Sequence, residues 1–106
     1  MSKIKPYRSH EEATVESFRR DPEFAAEYLN AVFEDGDRDE LLVALRRVTK
    51  AFGGVQGVAK RADLNVTALY RALSPKGNPE LKTLTAVLKA VGMRLAIVPE
   101  KKRMAA

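Results

Sequence analysis

The chain has 106 residues, 45% hydrophobic and 31% charged, with a formal charge of +5 and no cysteine. Its length suits one domain, or a small domain with an extension, and the missing cysteines exclude thiol catalysis, thiolate metal sites and a disulfide framework. One histidine, His10, leaves little for proton transfer or zinc ligation, and no apolar run nears the ~20 residues of a membrane span. Neither catalytic residues, a metal nor a cofactor is expected, and a cytoplasmic protein with no membrane partner is.

Helix signals run almost the whole length. Ser9-His10-Glu11-Glu12 reads as a capping box: Ser9 accepts from an orphan N–H and Glu12 reaches back. The helix it opens extends to about Arg20. Asp21-Pro22 stops that helix and starts another, with Asp21 at the N-cap and Pro22 at N1, where its missing N–H costs nothing. Phe24, Ala25, Tyr28, Leu29 and Val32 form its apolar stripe as far as Asp35-Gly36. Asp37-Arg38-Asp39-Glu40 is a second capping box. It introduces the strongest amphipathic stretch, Leu41, Leu42, Leu45, Val48 and Phe52, which Gly53-Gly54 ends. Two short helices, 55–62 and 66–73, flank Asp63-Leu64-Asn65. After a loop, Asn78 caps and Pro79 begins a last helix carrying Leu81, Leu84, Val87, Leu88 and Val91, closed by Gly92.

Residues 93–98 (Met93, Arg94, Leu95, Ala96, Ile97, Val98) read as a strand that Pro99 ends. A lone strand leaves its backbone polar groups unpaired, and nothing else here reads as its partner. It pairs with its own copy across a two-fold axis, adds to a partner protein's sheet, or packs on the helices as an extended tail.

Charge is divided unevenly. Residues 1–52 carry 9 basic against 11 acidic side chains, and residues 53–106 carry 10 against 3. All 11 acids of the first half fall within residues 11–40. An acidic half joined to a basic half suggests two partners, or one partner and a solvated face.

The most informative spacing lies within 55–73. Val58, Ala59 and Ala62 share one face, Leu64 sits in the turn, and Leu69 and Leu73 are one turn apart. That is the packing demand of a helix-turn-helix, in which Ala59 is small because the second helix crosses steeply and close. Asn65 can cap the second helix, leaving Val66, Thr67, Tyr70 and Arg71 without a core role on an element shaped to enter a major groove. The plain alternative is a helical hairpin within a bundle. The basic balance of this half favours DNA, because phosphate attraction supplies most non-specific affinity.

The segment VQGVAKRADLNVTALYRALSPKGNPELKTLTAVLKAVGMRLAI resembles the helix-turn-helix of the lambda-repressor-like (Xre) class. More narrowly, with DPEFAAEYLNAV, LYRALSPKGNPEL and GMRL, the chain resembles the small antidote proteins of bacterial addiction modules, the HigA-like antitoxins, over about residues 7–98. The class usually has glycine where this chain has Asp63, a difference of roughly 1 kcal/mol in the left-handed region. The resemblance implies an all-α lambda-repressor-like bundle with an N-terminal helical extension and one short C-terminal strand. It also implies an antitoxin that neutralises a RelE/HigB-like toxin, typically an mRNA-cleaving ribonuclease, and represses its own operon.

Carried over by position, Val66, Thr67 and Arg71 match base-reading positions of the class, and Gln56 and Asn65 match phosphate-contacting ones. The chemistry agrees, since Arg71 can donate two hydrogen bonds to a guanine and the Val66 methyls can meet a thymine methyl. Lys60, Tyr70 and Lys76 suit phosphate contacts by position and charge, with solvation, or packing for Tyr70, as the alternative.

A ribonuclease attracts RNA phosphates and is expected to be basic, so the acidic helices could cover it. Glu12, Glu16, Glu23, Glu27, Glu34 and Asp35 are the candidate carboxylates, with Phe18, Phe24 and Tyr28 as apolar anchors; a solvated face and core aromatics are the alternative. The expected organisation is an acidic extension over 1–36, the DNA-binding domain over 37–98 and a mobile tail over 99–106. One such module buries too little surface for tight specific binding, so a homodimer on double-stranded operator DNA is expected, with 93–98 as its strand. A stand-alone regulator and a protein–protein adaptor remain the competing functions, and a small hydrolase or nuclease lacks the side chains it needs.

Overall fold

The computed structural model describes residues 9–100. The first eight residues of the expected extension and positions 101–106 of the expected tail lie outside the described residues. Six helices follow in order: α1 (His10–Arg20), α2 (Pro22–Asp35), α3 (Arg38–Ala51), α4 (Gly54–Ala62), α5 (Val66–Ala72) and α6 (Leu81–Ala90).

Their starts are set by local hydrogen bonds. Ser9 Oγ accepts from the Glu12 N–H at 3.0 Å while Glu12 Oε1 accepts from the Ser9 N–H at 3.2 Å. Asp37 and Glu40 exchange the same two bonds at 2.9 Å each. Asp21 and Asn65 each accept from the amide three residues on, capping α2 and α5. Each cap is worth about 1 kcal/mol. The start of α6 departs from expectation: Glu80, not Asn78, is the N-cap, and Pro79 stays outside. Proline disfavours helical backbone at the residue before it, and Arg38 Nη2 donates to the Gly77 carbonyl at 3.0 Å, keeping this stretch in the loop.

α1, α2 and α3 pack on one another, α3 packs on α4, and α4 on both α5 and α6. α3 and α4 therefore join the two ends of the fold, and one apolar cluster runs from Val15 and Phe18 through Leu45 and Val48 to Leu69 and Leu88. Helix C-termini leave carbonyls unpaired at the negative end of the dipole, and arginines from other elements take them. Arg19 Nε donates to the Ala51 carbonyl at 3.1 Å, and Arg61 donates to those of Ala90 and Phe52. Arg46 Nη1 donates to the Leu73 carbonyl. The end of α3 is thus gripped from α1 on one side and α4 on the other.

The expected strand is not formed. Met93, Arg94, Leu95, Ala96, Ile97 and Val98 carry no regular structure. The Met93 N–H donates to the Leu88 carbonyl at 2.8 Å. Beyond it the segment borders an open groove of about 500 Å³ against Leu29, Asn30 and Phe33 of α2, leaving Ile97 100% exposed. A strand needs a ladder partner, and no described segment of this chain supplies one. No helix of the described residues is long and apolar enough to cross a membrane.

Candidate functional site

α4 and α5 are joined by the three-residue turn 63–65. Asp63 takes the left-handed conformation (φ 59°, ψ 46°), the one non-glycine residue with positive φ among the described residues. The Leu64 N–H reaches back to the Ala59 carbonyl at 2.8 Å and the Asp63 N–H to Lys60 at 3.3 Å, so the turn closes as a Schellman motif without glycine. Leu64 folds onto the core behind it. Ala59 is fully buried where a larger side chain would hold the helices apart, and Leu69 and Leu73 point inward.

The outer side of α5 is what remains. Thr67 and Arg71 are exposed, and Tyr70, 55% exposed, stands at the surface rather than in the core. Thr67, Tyr70 and Arg71 lie three and four residues apart, hence side by side on one helix face. Val66 is half-buried against the core, so only part of its side chain faces outward. Gln56, Lys60, Asn65 and Lys76 are all exposed. The Asn65 side-chain oxygen is committed to the Ala68 N–H at 2.8 Å, which leaves its amide N–H groups to donate outward.

Lys76 sits on a turn folded against the end of α5. Ser74 Oγ donates to the Arg71 carbonyl at 2.7 Å, and the Gly77 N–H to the Ser74 carbonyl at 2.8 Å. A Cβ at Gly77 would stand 2.0 Å from the Ala72 carbonyl oxygen, so only glycine permits this approach.

Electrostatics divide the molecule as the sequence does. Among the described residues the ion pairs join Glu16 to Arg19 and Arg20, and Glu11 to Arg47 and Lys50. None involves Lys60, Arg71 or Lys76, whose charge is left to the surface. The count of basic residues overstates this surface, because Arg61 is spent on carbonyls.

The acidic side is more mixed than expected. Glu12 serves the cap of α1, and Glu16 faces its own helix's arginines. Glu23, Glu27, Glu34 and Asp35 are exposed on and at the end of α2. Phe18 is 0% exposed and lies 4.9 Å from the Tyr28 ring and 5.5 Å from that of Phe24. It belongs to the core and offers no surface to a partner, because α1, α2 and α3 close over it. Phe24 is 42% exposed at the edge of the same cluster. The half-buried Tyr28 hydroxyl accepts from Arg47 at 3.1 Å. That hydroxyl, ahead of Glu11, raises the Arg47 guanidinium above its ordinary pKa against the opposing effect of burial. Among the described residues no three His, Cys, Asp or Glu side chains gather as metal ligands.

The family model described as "probable addiction module antidote protein" matches residues 11–99, spanning both the acidic helices and the α4–α5 pair. The chain belongs to this antidote family. An uncharacterized protein of Haemophilus influenzae is 31% identical over 70 residues, which cover 66% of this chain and 71% of the relative. No solved structure matches the chain significantly. An addiction-module antidote acts against a toxin, so membership implies a role in a toxin–antitoxin module and a toxin partner, and such antidotes are typically not enzymes.

Proposed function

We propose that this antidote is the antitoxin of a type II toxin–antitoxin module, neutralising a RelE/HigB-like toxin and repressing its own operon through a lambda-repressor-like helix-turn-helix. The observation that carries the DNA-binding part is the α4–α5 pair. A tight left-handed turn at Asp63 and a fully buried Ala59 bring the helices close, while Thr67, Tyr70 and Arg71 stay outside. In this reading α5 enters the major groove, where Arg71 meets a guanine edge and Thr67, with the exposed part of Val66, reads a neighbouring pair. Gln56, Lys60, Asn65, Tyr70 and Lys76 hold phosphates and set the register without reading sequence. Glu23 and Glu27 of α2, with Phe24 beside them, meet the basic surface of the toxin by charge complementarity. Two copies bind as a dimer on half-sites about 34 Å apart, with 93–98 of each copy supplying the ladder partner that the described residues of one chain lack.

The test is a gel shift and footprint of the full chain on DNA upstream of its own reading frame, with unrelated duplex as competitor. Protection of two half-sites one helical turn apart is expected. Equal affinity for the upstream and unrelated DNA would overturn the reading.

A further inference from the structure

We infer that Arg38 and Arg46 of α3 are positioning residues for DNA recognition, holding α5 at a fixed attitude so that Thr67, Tyr70 and Arg71 meet the bases in register. The inference rests on the DNA-binding reading above and goes beyond it, since neither arginine is among the residues assigned to DNA.

α5 is only seven residues long and buries one of its own side chains, Leu69, with Leu73 following one turn on. These two leucines, with the half-buried Val66 at the start of the helix, define a narrow seam about which so short a helix can rock. The turn at Asp63 ties down its N-terminal end, and a second hold lies at its C-terminal end. Arg46 Nη1 donates to the Leu73 carbonyl, and Arg38 Nη2 to the Gly77 carbonyl at 3.0 Å. The turn between these carbonyls is part of α5 mechanically. Ser74 Oγ bonds the Arg71 carbonyl, and Gly77 lies so close to Ala72 that no Cβ fits. A hold on Gly77 is therefore a hold on the helix. Arg38 and Arg46 are eight residues apart on α3, about 12 Å along its axis. Two attachments that far apart fix direction as well as distance. Arg47, next in sequence to Arg46, turns instead to Tyr28 and Glu11, so α3 anchors the reading end and the acidic helices through separate side chains.

The experiment selects a duplex from a random pool with the wild-type full chain. It then measures affinity for that duplex and for a scrambled one across a salt series, for wild type and for Arg46→Met and Arg38→Met separately. Methionine keeps much of the stem and removes the donors. Each variant is expected to bind the selected duplex roughly tenfold more weakly, the scale of one charge-assisted hydrogen bond, with affinity for the scrambled duplex and the salt slope unchanged. Arg46→Lys, which keeps the charge and one donor, is expected to recover part of the loss, and it decides the matter if Arg46→Met lowers the helical circular dichroism signal. An unchanged ratio of the two affinities would overturn the inference. So would an equal fall in both with a salt slope smaller by about one ion, which would make the arginine a phosphate contact. A wild-type chain that enriches no sequence from the pool would instead remove the DNA-binding reading, and this inference with it.

Discussion

Thr49, on α3, is 1% exposed, and its hydroxyl has no hydrogen-bond partner among the described residues. A buried hydroxyl without a partner costs about 1–3 kcal/mol relative to its hydrated state. Valine has the same branched shape and a similar helix propensity, so Thr49→Val is expected to stabilise the fold by about 1 kcal/mol. The gain would be read as a higher urea midpoint with an unchanged slope. Gly77 stands at the other extreme. A methyl group there meets backbone 2.0 Å away, and the Ala72 carbonyl belongs to a helix that cannot yield without moving Leu69. Gly77→Ala is expected to cost about 3 kcal/mol or more, measured by the same urea titration.

The predictions for helices concern what each face does. On α5, Arg71→Ala is expected to reduce specific binding by roughly 1–3 kcal/mol, the scale of a bidentate base contact, with little change on unrelated DNA. Lys76, on the turn behind that helix, offers a point charge with no ion-pair partner among the described residues. Lys76→Ala is expected to weaken all duplexes about equally and to flatten the salt dependence by about one ion. Anisotropy titrations at several salt concentrations separate the two outcomes. Arg71→Ala leaving specific and non-specific binding in the same ratio would assign that side chain to phosphate or to solvent.

For the whole molecule, the prediction concerns the apolar segment after α6. Leu95, Ile97 and Val98 stand exposed on one chain, with backbone groups that no described residue pairs. Leu95→Pro removes one N–H and forbids a ladder there, while every helix is left intact. Sedimentation as a monomer and loss of operator affinity are expected together, with the helical circular dichroism signal near wild type. A stable dimer with unchanged operator affinity would reassign the segment to toxin contact or to packing on α2.

The helices and most of their caps could be read from the sequence because their signals act within a few residues. Ser9 with Glu12, Asp37 with Glu40, and Asn65 with Ala68 each close over three positions, and the inward leucines of α5 follow from the helical period alone. The divided charge and the exposed Thr67, Tyr70 and Arg71 were legible for the same reason. Tertiary structure decided the rest. Phe18 and Phe24 look alike in sequence, but three helices close over the first, while the second lies at the edge of the cluster against the Phe18 ring. The strand could not be settled within one chain, because extended backbone acquires a ladder only from whatever lies beside it. The arginines were the least legible. Arg19, Arg38, Arg46 and Arg61 read as surface charge, yet their long stems reach carbonyls 9 to 39 residues away. Only the packing of the helices on one another brings those carbonyls within reach.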